Sequence, residues 1–351
     1  MPKKNSLTAR RVLALFLTYI LLCVAGGIAA SIMFVPGVMS VNSVVKTVVP
    51  SLRVDGIDFD VTALPQKSRL YASDGKTIIA TFYAQNRTVV PLRNISQYMQ
   101  RAMVAREDRR FFEHSGVDVQ GVMRAFVQTF VKKGDMQGGS SLTQQYVKNV
   151  LMIKARENND PLAEYHASEG TIARKLREML IAIQMEKKYS KLEILQGYLN
   201  IAQFGSNNLY GVETAAHRYF NTSAAKLNLV QSATIAAITK NPSRYDPSVE
   251  SNQPESEKQR NIVLDLMLRQ GFITKQQHDE AVATPLKKTL NVQSDVSHIG
   301  CQAAGDAAFF CDYVTKKILH SREFGKTADA REKLLTEGGL DIYTTMDLRA
   351  S

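Results

Sequence analysis

The sequence predicts a mainly helical domain held outside a membrane by one N-terminal helix, with small β elements at both ends of that domain. Three observations carry this expectation: a charge-free apolar run near the N-terminus, nine later stretches with apolar residues three and four apart, and short alternating stretches on either side of them. At 351 residues and 44% hydrophobic, the chain is neither disordered, nor collagen-like, nor a mini-protein.

The N-terminal element follows from charge. Residues 1–11 carry Lys3, Lys4, Arg10 and Arg11 and no acid, and the first acidic residue of the chain is Asp55. No charge occurs from Val12 to Val45, and Leu13–Val35 gives an apolar run that at about 1.5 Å per residue spans a hydrocarbon core of about 30 Å. A cleaved signal peptide competes, since Ala29-Ala30-Ser31 offers small residues for a peptidase, but the run exceeds the roughly 7–15 apolar residues of such a core. The basic flank places residues 1–11 in the cytoplasm, a single-pass signal-anchor over 12–36, and everything beyond outside the cell membrane. The net charge of +11 points to an anionic partner. On this topology, phospholipid and a phosphorylated substrate fit, and nucleic acid does not.

A juxtamembrane segment, 37–93, follows. Within it, Arg69–Tyr83 reads as a hairpin around Asp74-Gly75. Residues 94–290 form the helical domain, with helices expected over Tyr98–Glu113, Val117–Lys133, Leu142–Ile153, Ile172–Tyr189, Lys191–Gln203, Gly211–Phe220, Leu227–Thr239, Ser256–Gln270 and Lys275–Ala283. Pro and Asn over 241–254 mark a loop. Cys301 and Cys311, on the outer side, suggest a disulfide; a zinc site lacks ligands, with His298 the sole nearby histidine. Gly338–Thr345 alternates like a strand within a final segment, 291–351.

Three segments carry candidate chemistry. Met99, Ala102, Met103, Phe111 and His114 share a helix face, and Glu107 lies inside that stripe. A carboxylate there loses hydration, which suits a general base. For an isolated Glu, an ion pair with Arg106 or Arg110 is the commoner arrangement. Gly138–Asn149 (GGSSLTQQYVKN) opens with glycines and hydroxyls and runs into a helix, so its backbone N–H groups could hold an anion. Ser140, Gln144 and Lys148 recur every four residues as a ladder of donors; a plain Ser N-cap with a solvated face is the alternative. In Arg174-Lys-Leu-Arg-Glu178, Arg174, Lys175 and Glu178 share one face opposite Leu176, Met179, Leu180 and Ile183, which by itself reads as an exposed ion pair.

Taken in order, Glu107-Asp-Arg-Arg-Phe-Phe-Glu-His114 with Gly116, Gly138–Asn149, Arg174-Lys-x-x-Glu178, Tyr189-Ser-Lys191 through Tyr198-Leu-Asn200, and Gly205–Phe220 closely resemble the motifs of the peptidoglycan glycosyltransferases, family 51. These are the polymerising modules of class A penicillin-binding proteins. The resemblance covers about residues 65–275. It implies a two-lobed, lysozyme-like fold and a lipid II substrate, polymerised into β-1,4 glycan with release of polyprenyl pyrophosphate. By the same resemblance, Glu107 is the general base and Asp108 supports it. Gly139, Ser140, Gln144 and Lys148 hold the donor, and Arg174 and Lys175 offset the pyrophosphate charge. Glu178 orients those cations or a divalent metal, Mg or Mn; no organic cofactor is implied. Implied partners are lipid II, the growing glycan strand, membrane phospholipid and cell-wall elongation or division proteins.

Val119, Val122, Met123, Phe126, Val127, Phe130 and Val131, with Arg124, Lys132 and Lys133 around them, resemble a membrane-dipping amphipathic helix; a core helix is the alternative. Two departures stand out. Ser141 replaces the usual Thr, and residues 155–171 look like a polar, mobile insertion. No penicillin-binding signature follows: Ser43-Val-Val-Lys46 and Ser223-Ala-Ala-Lys226 match Ser-x-x-Lys by accident, and Lys-Thr-Gly does not occur. Residues 291–351 resemble the linker leading to a transpeptidase domain, before which the chain is expected to end. A muramidase or lytic transglycosylase, and a non-catalytic cell-wall scaffold, are the alternatives in other functional classes.

Overall fold

The computed structural model describes residues 64–126, 139–206, 208–293 and 299–348. By compactness the chain divides into two units, residues 1–57 with Thr171–Arg177, and Asp58–Gly170 with Glu178–Ser351. The expected anchor over 12–36 lies outside the described residues. Among the described residues, no helix is long and apolar enough to cross a membrane.

The predicted hairpin forms as β1 (Ser68–Tyr71) and β2 (Ile78–Phe82), paired antiparallel with Ser68 opposite Phe82. Asp74 builds its turn. The carboxylate accepts from the backbone N–H groups of Lys76 and Thr77, each at 2.8 Å, and from the Thr77 hydroxyl at 2.6 Å. These donors favour the charged form and pull its pKa down to about 2, the Thr77 hydroxyl contributing most.

The helices are α1 (Gln97–Glu107), α2 (Val119–Phe126), α3 (Leu142–Glu157), α4 (Pro161–Ser168), α5 (Ile172–Lys188), α6 (Lys191–Ile201), α7 (Val212–Phe220), α8 (Leu229–Ile238), α9 (Gln253–Arg269), α10 (Lys275–Ala283), the single turn α11 (Leu286–Thr289), α12 (Ala308–His320) and α13 (Ala328–Glu337). Helix α8 is the centre of the core. Ser232 to Ile238 are all buried, so this stretch of the helix is enclosed on every side, and it packs against α9 and α1. Helix α3 packs against α4 and α6.

Three expectations are corrected. The first helix stops at Glu107 rather than Glu113, because Asp108 leaves the helical region (φ −156°, ψ 80°) and sends its carboxylate to another helix. The insertion is not a loop: α3 continues to Glu157, and Asp160 caps α4 by accepting from Ala163 N at 2.9 Å, with Pro161 in the first turn, where its missing N–H costs nothing. The inward face of α5 is Glu178, Ile181, Ala182 and Met185, whereas Leu180 is 41% exposed. Charged residues along this helix blurred the apolar stripe and shifted its apparent centre.

The final segment adds a strand to the hairpin. Strand β3 (Asp341–Tyr343) pairs parallel to β1, giving the order β2-β1-β3, so the small β elements expected at opposite ends of the domain form one sheet. Tyr343 stacks on Tyr71 with ring centroids 5.1 Å apart, and Arg69 meets Asp341 at 3.4 Å. Leu70, Ala72, Ile79 and Ala80 form a satellite core with Ala307 and Cys311. The expected disulfide is present: Cys301 and Cys311 are bonded, with Cα atoms 5.4 Å apart.

Closing a loop of that separation is worth about 3 kcal/mol on the chain-entropy account. Reduction with dithiothreitol is therefore expected to loosen the segment around Ala307 and Cys311, read as faster amide hydrogen exchange there, with α8 unaffected. Equal exchange before and after reduction would contradict this.

Candidate active site

Helix α1 delivers the carboxylate. Ser96 caps its start, accepting from Tyr98 N at 3.3 Å, and Met99, Ala102 and Met103 fix its rotation by complete burial. Glu107 is the last helical residue, one turn beyond Met103, so it emerges at the rim of the core with 16% of its side chain exposed.

Both of its oxygens are occupied. Gln145 Nε2 donates to Oε2 at 2.9 Å, and Thr239 Oγ1 donates to Oε1 at 2.7 Å. Arg106 Nε stands 4.0 Å from Oε1. Gln145 is oriented in turn by the Tyr198 hydroxyl, which donates to its Oε1 at 2.9 Å. Tyr198 is 2% exposed; burial, then the negative charge of Glu107, pushes its pKa well above the ordinary range, so it stays a neutral donor. The helices carrying Gln145 and Tyr198 approach closely at Gly197, where an added Cβ would lie 2.5 Å from the Tyr146 ring.

Asp108 is a fastener. Its Oδ2 accepts from Leu142 N, at the start of α3, at 3.0 Å and lies 2.8 Å from His114 Nε2, with its side chain 2% exposed. A carboxylate at a helix N-terminus also gains from the helix dipole. Ser141 caps the same helix with a reciprocal capping box to Gln144, and its hydroxyl donates to Gly116 O at 2.6 Å. Gly116 has φ +83°, and a Cβ there would meet the Ala182 and Ile183 backbone at 2.7 Å, so only glycine passes.

Position by position, the expected ladder is rearranged. Gly139 and Ser140 precede α3 outside any helix or strand, half-buried. Gln144 is 1% exposed because the capping box turns it inward. The half-buried polar strip of α3 is instead Gln145, Lys148 and Asn149. Sequence reasoning passed over Gln145, although Ser141-x-x-Gln144 is a capping-box spelling and assigns Gln144 to the cap. Nothing in the sequence marked Thr239, 132 positions from Glu107.

Glu178 is 2% exposed on α5, not on a solvated face. Arg174 and Lys175, in the first turns of the same helix, belong to the other compact unit. Asn200 of the Tyr-Leu-Asn motif is structural: it accepts from Val90 N and donates to Val90 O, both at 2.9 Å, clamping the segment after the hairpin to α6. Among the described residues, no three His, Cys, Asp or Glu side chains are grouped to hold a metal ion. Glu178 alone does not make a metal site.

A family model described as Transglycosylase matches residues 74–268. Among curated proteins, the chain is 34% identical to penicillin-binding protein 1A/1B of Bacillus subtilis over 91% of its own length and 32% of that protein's. It is 34% identical to penicillin-binding protein 1A of Aquifex aeolicus, covering 81% of the chain and 34% of the relative. For penicillin-binding protein 1A of Pseudomonas aeruginosa the identity is 37%, over 64% of the chain and 25% of the relative. The chain thus spans about a third or less of the curated relatives it matches. A crystal structure of penicillin-binding protein 1A from Haemophilus influenzae aligns over 80% of this chain and 27% of that one, at 21% identity and a TM-score of 0.40.

Proposed function

The chain belongs to the transglycosylase family, and from that premise we propose that it polymerises lipid II into β-1,4-linked peptidoglycan glycan with release of polyprenyl pyrophosphate. The observation that carries the proposal is the carboxylate of Glu107, held on both oxygens by uncharged donors at the edge of the core. Each carboxylate oxygen keeps a lone pair beyond these bonds. In this reading Glu107 takes the proton of the acceptor GlcNAc 4-hydroxyl as that oxygen attacks the anomeric carbon of the growing donor strand. The C–O bond to pyrophosphate breaks on the opposite face, which inverts the configuration.

The leaving group needs cations rather than an acid. Arg174 and Lys175 on α5 would offset its charge, while Lys148 on α3, with Gly139 and Ser140 ahead of the α3 N-terminus, would hold the donor. Gln144 commits its carbonyl to the capping box, which leaves its Nε2 as the hydrogen-bond donor it would offer. Buried Glu178 would fix the orientation of the cations. The signal-anchor and the amphipathic run from Val119 would hold the enzyme at the membrane where its lipid substrate lies. Val119, 67% exposed on α2, supports a surface role for that run.

Purified protein in detergent with lipid II and Mg²⁺ is expected to produce polymeric glycan resolvable by gel electrophoresis. If it instead shortened preformed glycan, the polymerase reading would fail and the lytic alternative would stand.

A further inference from the structure

We infer that Thr239 is a positioning residue whose hydroxyl follows the proton of Glu107, donating to the carboxylate before transfer and accepting from the carboxylic acid after it. This rests on the proposed role of Glu107 as general base.

The geometry is a choice between two acceptors for one hydrogen. Thr239 Oγ1 lies 2.7 Å from Glu107 Oε1 and 2.8 Å from Ala236 O. A hydroxyl carries a single hydrogen, so it cannot serve both at once. Ala236 O is one of the last carbonyls of α8, where intrahelical partners run out, and it is therefore available. While Glu107 is ionised, the hydrogen belongs on Oε1, because a charged acceptor makes the stronger bond.

After transfer the situation reverses. The proton from the acceptor hydroxyl now sits on Glu107 and needs an acceptor of its own. Oε2 faces Gln145 Nε2, which only donates, and turning the Gln145 carbonyl toward Oε2 would leave the hydrogen of the buried Tyr198 hydroxyl without its acceptor. Thr239 Oγ1 is the partner at Oε1 that can accept. With the proton on Oε1, the Thr239 hydrogen rotates to Ala236 O, and the acid donates to Oγ1. No heavy atom moves, Thr239 keeps its own hydrogen, and the balance is one proton from acceptor hydroxyl to carboxylate. The unfilled lone pair of Oε2 remains for the incoming hydroxyl, and the proton reaches Oε1 by exchange within the carboxyl group through solvent at this partly exposed rim.

The test compares Thr239→Val, which keeps shape and loses the hydroxyl, with Thr239→Ser, which keeps the hydroxyl. In lipid II polymerisation, Thr239→Val is expected to lower kcat about tenfold with KM within about twofold, while Thr239→Ser stays within about twofold of wild type in both. Tyr198→Phe, which frees the Gln145 amide to turn, should also lower kcat rather than raise KM. A second readout does not depend on the substrate. At low pH the infrared carboxyl C=O stretch of Glu107, assigned by difference from Glu107→Gln, should shift in the Val variant and return in the Ser variant.

Wild-type kcat in the Val variant, a loss the Ser variant fails to restore, or an unshifted carboxyl band would each overturn the assignment. If the wild type makes no polymer at all, the proposed reaction fails and the carboxyl band still decides whether Thr239 accepts from the protonated acid.

Discussion

Glu107→Gln is expected to reduce glycan polymerisation by about a thousandfold or more while leaving the circular dichroism spectrum and thermal unfolding close to wild type. The magnitude is that of a lost general base, about 10²–10⁴ in rate. The amide is nearly isosteric, so the packing of α1 persists. It cannot accept the acceptor's proton, and its NH₂ group must face either Gln145 Nε2, itself a donor, or Thr239. Substantial polymerisation by the Gln variant would remove the base from Glu107 and direct attention to another carboxylate.

Asp108→Ala is expected to cost about 3 kcal/mol of stability, because the backbone N–H of Leu142 and the His114 ring both lose a buried acceptor. For a domain of this size the corresponding fall in Tm is about 6–12 °C. Activity should drop as well, since Asp108 ties the end of α1, which bears Glu107, to the start of α3, which bears Gln145 and Lys148. Asp108→Asn retains an acceptor for Leu142 N and should lose less on both measures. An unchanged Tm in the Ala variant would show that the fastener is unnecessary.

These two neighbours illustrate how unevenly the site could be read from the sequence. Glu107 was legible because a carboxylate inside an apolar helical stripe violates the local pattern. Asp108 was legible only through family resemblance, since its work is done 34 residues away at Leu142. Glu178 stood in a plausible exposed ion-pair pattern, and burial revealed the difference. For Gln144 and Gln145, two identical side chains in succession, one helical step of about 100° decides which caps the helix and which faces Glu107.

Periodicity and composition by themselves determined that the described chain is mainly helical, that a hairpin turns at Asp74-Gly75, and that Cys301 and Cys311 would pair. Those are local properties: helical spacing, turn chemistry and a separation of ten residues. Only the tertiary structure decided that β3 returns to lie beside β1, and that Gln145, Tyr198 and Thr239 converge on one carboxylate. A strand partner 272 residues away and a hydroxyl 132 residues away leave no periodic trace. They are selected by which buried faces of α1, α3, α6 and α8 fit together, a choice made by the packing of the whole core.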